Sequence, residues 1–141
     1  MKKIALLLVV VLIQASFVMG QNCVVCTQNP TGLGANIIGL NSTAAGNGSV
    51  AIGTNSHTTS NGGNSIAIGT QVKSVNYLSM VIGSGRDSQN MLINHLQQSL
   101  MVGFGSSKPT LFVSRSPSST KTGRIGIGNI TDPQAKLHVS L

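Results

Sequence analysis

The sequence predicts an all-β protein, a parallel β-solenoid of about five short coils followed by short C-terminal strands. A short unit that ends in an aliphatic residue and a glycine recurs along the chain. Apolar residues fall in short β-branched clusters bounded by glycine, as in strands separated by tight turns. Gly, Ser, Asn and Thr make up 58 of the 141 residues, and only 8% are charged, which is unlike an ordinary globular enzyme.

The charge composition disfavours most catalytic chemistry. The chain has nine Lys or Arg residues but only two acidic ones, Asp87 and Asp132, and no Glu. Paired-carboxylate hydrolysis and carboxylate metal cages need more acidic groups. The positive charges are dispersed and there are only one Tyr and three Phe residues, so nucleic-acid binding has little support. We expect no catalytic residue, cofactor, metal or small-molecule substrate.

Residues 1–20 are predicted to be a signal peptide. Lys2 and Lys3 form a basic start, and residues 4–13 are an unbroken apolar run of ten. A retained membrane anchor is disfavoured because a spanning helix needs about 20 apolar residues. We expect cleavage after Gly20 and export of the mature chain.

Residues 21–34 form an N-terminal segment that contains a C-x-x-C motif, Cys23 and Cys26. A local or interchain disulfide is favoured in an oxidising compartment. Free thiols, a redox role and metal binding are the alternatives. A four-cysteine zinc site would require other chains, because the sequence has only two cysteines.

The repeat occupies residues 35–105, with steps of 14, 16, 14 and 20 residues. Such self-similarity is typical of a solenoid, in which each repeat buries its apolar face only against its neighbours. The aliphatic-glycine pairs, which we take as the structural repeat residues, are Ile38 and Gly39, Ile52 and Gly53, Ile68 and Gly69, Ile82 and Gly83, and Val102 and Gly103.

Side chains alternate within each repeat. Val50 and Ile52 share one face of a strand and Ala51 takes the other, and Ile66 and Ile68 repeat this pattern in the next coil. With two or three aliphatic residues per turn and almost no aromatic filling, a lone chain would be marginally stable. Several chains are therefore expected to share one core.

A 14-residue coil has room for two short strands and two turns. Gly53, Gly69 and Gly83 are expected to end their strands in turns with positive φ. Residues 55–63 are expected to form a polar link. Residues 91–96 are expected to be a loop that caps the roll or packs between chains.

The three histidines are separate in the sequence. His57 lies in the polar link, His95 in the longest insertion, and His138 in the terminal strand. A trimer could bring three copies of one histidine onto its axis to bind an anion or a metal. Solvent-facing or hydrogen-bonded histidines are the favoured interpretation.

The units SVAIG at residues 49–53 and SIAIG at residues 65–69, joined by Ser/Asn/Gly links, resemble the head repeats of YadA-like trimeric autotransporter adhesins. The resemblance covers about residues 35–105. It implies a left-handed parallel β-roll whose three chains interlock into a compact head at a bacterial surface.

Residues 106–141 are similar to a second module, found in exported bacterial surface proteins and phage tail-fibre-like proteins. The similarity is carried by GRIGIGN at residues 123–129 and AKLHV at residues 135–139. The resemblance implies short strands that follow the head and lead into a stalk or a C-terminal domain. Since this sequence stops at Leu141, a truncated product is one interpretation.

These features predict a non-enzymatic, exported surface protein, a homotrimeric adhesin-like head at the bacterial outer surface or outside the cell. Host, matrix or carbohydrate surfaces are the candidate ligands. The alternatives are a spike or tail-fibre-like component and an ice- or crystal-binding solenoid that uses Thr54 and Thr70. A hexapeptide-type acyltransferase is disfavoured because its aliphatic residues recur every six positions.

Overall fold

The computed structural model describes residues 30–140, which are all-β and contain no helix. The predicted signal peptide, Cys23 and Cys26 lie outside the described residues. The strands are β1 (Asn36–Ile38), β2 (Thr43–Ala44), β3 (Val50–Ile52), β4 (Ser56–Thr58), β5 (Ile66–Thr70), β6 (Val72–Ser74), β7 (Met80–Ser84), β8 (Leu92–Asn94), β9 (Leu100–Gly103), β10 (Leu111–Val113), β11 (Ile125–Ile127) and β12 (Leu137–Val139).

The strands alternate between two sheets as the chain winds. Strands β1, β3, β5, β7 and β9 pair in parallel as five successive rungs of the first sheet. Strands β2, β4, β6 and β8 pair in parallel as the second sheet. The predicted all-β parallel solenoid is therefore confirmed.

The last three strands extend the first sheet without further winding. Strand β10 runs antiparallel to β9, β11 runs antiparallel to β10, and β12 runs parallel to β11. The first sheet thus contains eight strands in the order β1-β3-β5-β7-β9-β10-β11-β12. The C-terminal strands continue the surface of the solenoid instead of forming a separate layer.

Small aliphatic residues fill the space between the two sheets. From the first sheet, Ala51 and Ala67 are in register and fully buried. From the second sheet, Ala44, Val72 and Leu92 point inward and are buried. Ile37, Val81 and Met101 continue this inward column on either side of the two alanines and are also buried.

Hydroxyl and amide side chains share this interior. Ser49 and Thr58 hydrogen-bond through their hydroxyl oxygens at 2.7 Å, and the Ser56 hydroxyl donates to the Ala67 carbonyl oxygen at 2.8 Å. Every buried side-chain nitrogen or oxygen in residues 30–140 has a hydrogen-bond partner. The buried polar residues are Ser42, Ser49, Ser56, Thr58, Ser65, Ser74, Ser79, Asn94 and Ser99.

Two of the repeat glycines lie inside strands. Gly69 belongs to β5 and Gly83 to β7, and the two are paired in register. Their φ angles are +136° and +134°, in the region that side-chain-bearing residues avoid. The expectation that they end their strands is therefore wrong, because the ladder continues through them. Gly53, in contrast, follows the last residue of β3.

The polar link and the expected capping loop each contain a strand of the second sheet. Residues 55–63 include β4, and residues 91–96 include β8, which pairs with β6. The expectation of a capping loop is therefore wrong at β8, whereas β4 is the second strand for which a 14-residue coil has room. Their inward side chains are Ser56 and Thr58 in β4 and Leu92 and Asn94 in β8, so the strands lack a continuous apolar pattern.

Candidate functional site

The outward side of the eight-stranded sheet is aliphatic along its whole length. Strand register places fifteen aliphatic side chains in two columns, which we call the aliphatic face. One column contains Val50, Ile66, Met80, Leu100, Val113, Ile125 and Leu137. The other contains Ile38, Ile52, Ile68, Ile82, Val102, Leu111, Ile127 and Val139.

Strand alternation creates this face. In each rung the middle residue points inward, as Ala51 and Val81 do, so the flanking pair must point outward. With adjacent strands about 4.8 Å apart, eight strands give the aliphatic face a length of roughly 30 Å. A soluble chain that stays single seldom exposes a continuous apolar surface of this size.

The aliphatic face is most exposed in its C-terminal part. Ile125 and Ile127 of β11 are 39% and 37% exposed, and Leu137 and Val139 of β12 are 56% and 49% exposed. At the other end, Ile38 of β1 is 43% exposed. The side chains in the central rungs are half-buried because each is flanked by neighbours on both sides. The exposed apolar surface is therefore a property of the whole sheet.

The structure brings the predicted repeat residues together in one surface. The aliphatic members, from Ile38 to Val102, belong to the aliphatic face. The glycines stack beside it, with Gly69 paired to Gly83 and Gly83 paired to Gly103. The repeated aliphatic-glycine pairs therefore identify the side of the coil on which a column of stacked glycines lies next to the two aliphatic columns.

The outer face of the second sheet is polar by comparison. It carries Thr43, His57, Lys73 and Ile93 in one register column. The Thr43 hydroxyl oxygen lies 2.9 Å from Nδ1 of His57. Partial burial, together with the positive charge of Lys73, lowers the pKa of His57 below its ordinary value. This histidine is therefore held in its neutral form by its surroundings.

The three histidines are not brought together within one chain. His57 is in β4, His138 is in β12, and His95 follows β8. Residues 30–140 contain no group of three or more His, Cys, Asp or Glu residues close enough to hold a metal ion. Metal binding by three copies of one histidine stays an untested prediction.

The buried serines stabilise the fold, and the sequence analysis did not predict their inward position. A signal was present, since serine precedes the strand in successive repeats at Ser49, Ser65, Ser79 and Ser99. Each of these serines is buried. A serine just before the strand of each repeat therefore indicates a buried hydroxyl in this chain.

A family model now identifies part of the solenoid. The YadA head domain repeat matches twice, at residues 38–56 and 57–71. Residues 38–71 are therefore similar to YadA head repeats. They include β2, β3 and β5 in full, so the second and third of the eight rungs of the aliphatic face lie in the matched region.

YadA-like heads are non-enzymatic, typically trimeric parts of exported bacterial surface proteins. No curated protein and no solved structure shows significant similarity to the whole chain. Within residues 30–140, no helix is long and apolar enough to cross a membrane.

Proposed function

We propose that this protein is an exported, non-enzymatic surface protein whose chains assemble as a homotrimer through the aliphatic face and form an adhesin-like head. The YadA head repeats support this class of protein. The observation that carries the proposal is the aliphatic face itself. It runs across eight strands and extends beyond the matched repeats on their C-terminal side, as far as Val139.

The free energy available from this face is large. Full burial of one aliphatic side chain contributes about 1.5–3 kcal/mol, so covering the remaining exposure of fifteen half-buried ones contributes on the order of 10 kcal/mol. This compares with about 5–15 kcal/mol for the entire net stability of a small domain. The interior of one chain leaves this apolar surface in water, and association removes it from water.

Assembly through the aliphatic face leaves the polar surface of each chain outside. The second sheet, with Thr43, His57 and Lys73, and the turns between strands would then face solvent. We place the surface that attaches to host, matrix or carbohydrate there. The three chains would present the same surface three times, which raises the overall avidity of weak contacts.

The proposal assigns a role to each part of the chain. Residues 1–20 direct export, and residues 21–34 carry a local or interchain disulfide formed by Cys23 and Cys26. Residues 35–105 are the left-handed head, and residues 106–141 are the C-terminal strand module. The continuation of the aliphatic face into β10, β11 and β12 supports a shared interface for the last two parts.

The first experiment is the solution mass of the exported protein, measured by light scattering. The wild type is expected at three times the chain mass. Ile68→Thr places a polar group in the centre of the aliphatic face and is expected to shift the mass towards the monomer. Ile93→Thr makes the same change on the outer face of the second sheet and is expected to leave the trimer intact. A monomeric wild type at micromolar concentration would contradict the proposal.

Attachment is tested with bacteria that export the same variants. Cells with the wild type or Ile93→Thr are expected to adhere to a matrix-coated surface, and cells with Ile68→Thr are expected to lose most adherence because avidity depends on three linked copies. Equal adherence of all three would show that attachment does not depend on the trimer.

A further inference from the structure

A cleft separates the last turns of the solenoid from the C-terminal strands. It has a volume of about 500 Å³ and is bounded by residues 96–99, the ends of β10 and β11, and the loop at residues 131–133. Sites for small molecules occupy about 300–1,000 Å³. The cleft is therefore large enough for one or two sugar rings.

The cleft lies on the opposite side of the sheet from the aliphatic face. In β10, Leu111 and Val113 belong to the aliphatic face, while Phe112 between them lines the cleft. In the next strand, Ile125 belongs to the aliphatic face, and the preceding Arg124 lines the cleft. Association through the aliphatic face therefore uses a different surface from the cleft.

Two guanidinium groups line the cleft without a carboxylate partner. Arg124 donates from Nη1 to the Pro133 carbonyl oxygen at 2.9 Å, which fixes the side chain and leaves its other donors available. The Arg115 side chain makes no hydrogen bond or ion pair within residues 30–140. A planar guanidinium binds a carboxylate through two parallel hydrogen bonds. The pair therefore provides a recognition group for a carboxylate.

The single acidic group in the cleft is held apart from both arginines. Oδ2 of Asp132 accepts a hydrogen bond from Nε2 of Gln134 at 2.9 Å, and Asp132 makes no ion pair in the described part of the chain. Its other oxygen is available to accept a hydrogen bond. The hydroxyl of Thr131 lines the same region. The Asp132 carboxylate and the Thr131 hydroxyl can form hydrogen bonds with the hydroxyls of a sugar.

The rest of the lining mixes apolar residues with Gln97, Ser99 and Ser114, and this combination favours a saccharide over other anions. Leu96, 42% exposed, and the exposed Pro117 offer surface for the C–H face of a sugar ring. Inorganic sulfate would use the arginines but none of this surface. A nucleic acid would need an exposed ring to stack on, and Phe112 is only 1% exposed.

We propose that this cleft binds a carboxylated saccharide, with its carboxylate on Arg115 and Arg124, its hydroxyls on Asp132 and its ring against Leu96. The inference rests on the proposed attachment role, to which it gives a ligand class. The two proposals are tested separately, because light scattering measures the assembly of the trimer and titration measures ligand binding in the cleft.

The probe is digalacturonic acid, titrated calorimetrically into the exported protein. Its carboxyl-reduced form, which has the same rings without charge, and inorganic sulfate are the comparison ligands. Arg115→Gln removes one unpaired guanidinium and is expected to weaken digalacturonate binding about tenfold, as for loss of a hydrogen bond to a charged group. The reduced disaccharide is expected to bind at least tenfold more weakly than the acid.

Arg86→Gln is the matched control, because it removes the same charge from an exposed loop outside the cleft. It is expected to bind digalacturonate as the wild type does. Four results would overturn the proposal: no binding by the wild type at millimolar probe, unchanged binding by Arg115→Gln, an equal loss in Arg86→Gln, or sulfate binding as tight as the disaccharide. Binding by a monomer would support the cleft while contradicting the trimer.

Discussion

A Cβ atom built on Gly69 would stand 1.7 Å from the carbonyl oxygen of Gly83, its partner on the next rung. No conformational change of a side chain relieves this contact, because both groups belong to the backbone. At the glycine column, therefore, the backbone of the next coil occupies the position that a side chain would need.

Gly69→Ala is expected to be among the most destabilising single substitutions in the chain. It combines a clash with backbone and a φ of +136°, and each contributes about 1–3 kcal/mol of destabilisation. We expect a loss of roughly 3 kcal/mol or more in unfolding free energy, measured by denaturant titration. Gly63→Ala is the control, since a Cβ there meets Tyr77 at 3.4 Å without a backbone clash. Similar losses in both variants would contradict the role of the glycine column.

The Ser42 hydroxyl is expected to stabilise the turn between adjacent coils. It donates to the Gly53 carbonyl oxygen at 2.8 Å and accepts from the Ser56 amide at 3.0 Å. Because Ser42 is buried, Ser42→Ala leaves the Gly53 carbonyl and the Ser56 amide without this partner. The substitution should lower the free energy of unfolding by about 2 kcal/mol. Thermal or denaturant unfolding measures this loss. Ser60→Ala, on the exposed surface, should change stability by less than about 0.5 kcal/mol.

The sequence was enough to predict the solenoid and the alignment of its rungs, because Ile52, Ile68 and Ile82 mark the same point of successive coils. It did not decide which side of the strand faces inward. The alternation of Val50, Ala51 and Ile52 is compatible with either orientation. The structure places Ala51 and Ala67 inside and leaves the flanking valine and isoleucine side chains on the outward face.

The positions and inward residues of the strands in the second sheet, and the cleft beside the C-terminal strands, could not be predicted. The inward residues of β4 are Ser56 and Thr58, which have the composition of a loop. The cleft joins Arg115, Arg124 and Asp132, which come from separate segments and carry no common motif. Only the folding of the C-terminal strands against the last coil places them together.

Acid is expected to destabilise the fold partly through His57. Its pKa is lowered in the folded state, mainly by partial burial and further by Lys73. Its contribution to stability is therefore present above the ordinary pKa of about 6.5 and is lost as the pH falls through the lower folded value. The unfolding free energy of His57→Gln should fall less than that of the wild type between pH 7 and pH 5.

Lys73→Gln provides an independent check of this cause. Removing the positive charge should raise the pKa of His57 towards its ordinary value, as measured by NMR titration of the imidazole. Lys108→Gln, which changes the same charge at a distant loop, should leave that pKa unchanged. A pKa of His57 that does not respond to Lys73→Gln would show that burial alone lowers it.

The C-terminal strands are expected to share the oligomer interface of the solenoid. Ile127 of β11 is aligned with Leu111 of β10, which is aligned with Val102 of the last parallel rung, so the same column crosses from the repeats into the C-terminal part. Ile127→Thr should therefore lower the concentration-dependent stability of the trimer, as Ile68→Thr does. Ile93→Thr should not do so. Light scattering over a dilution series measures the change, and a trimer whose dissociation is unaffected by Ile127→Thr would confine the interface to the parallel rungs.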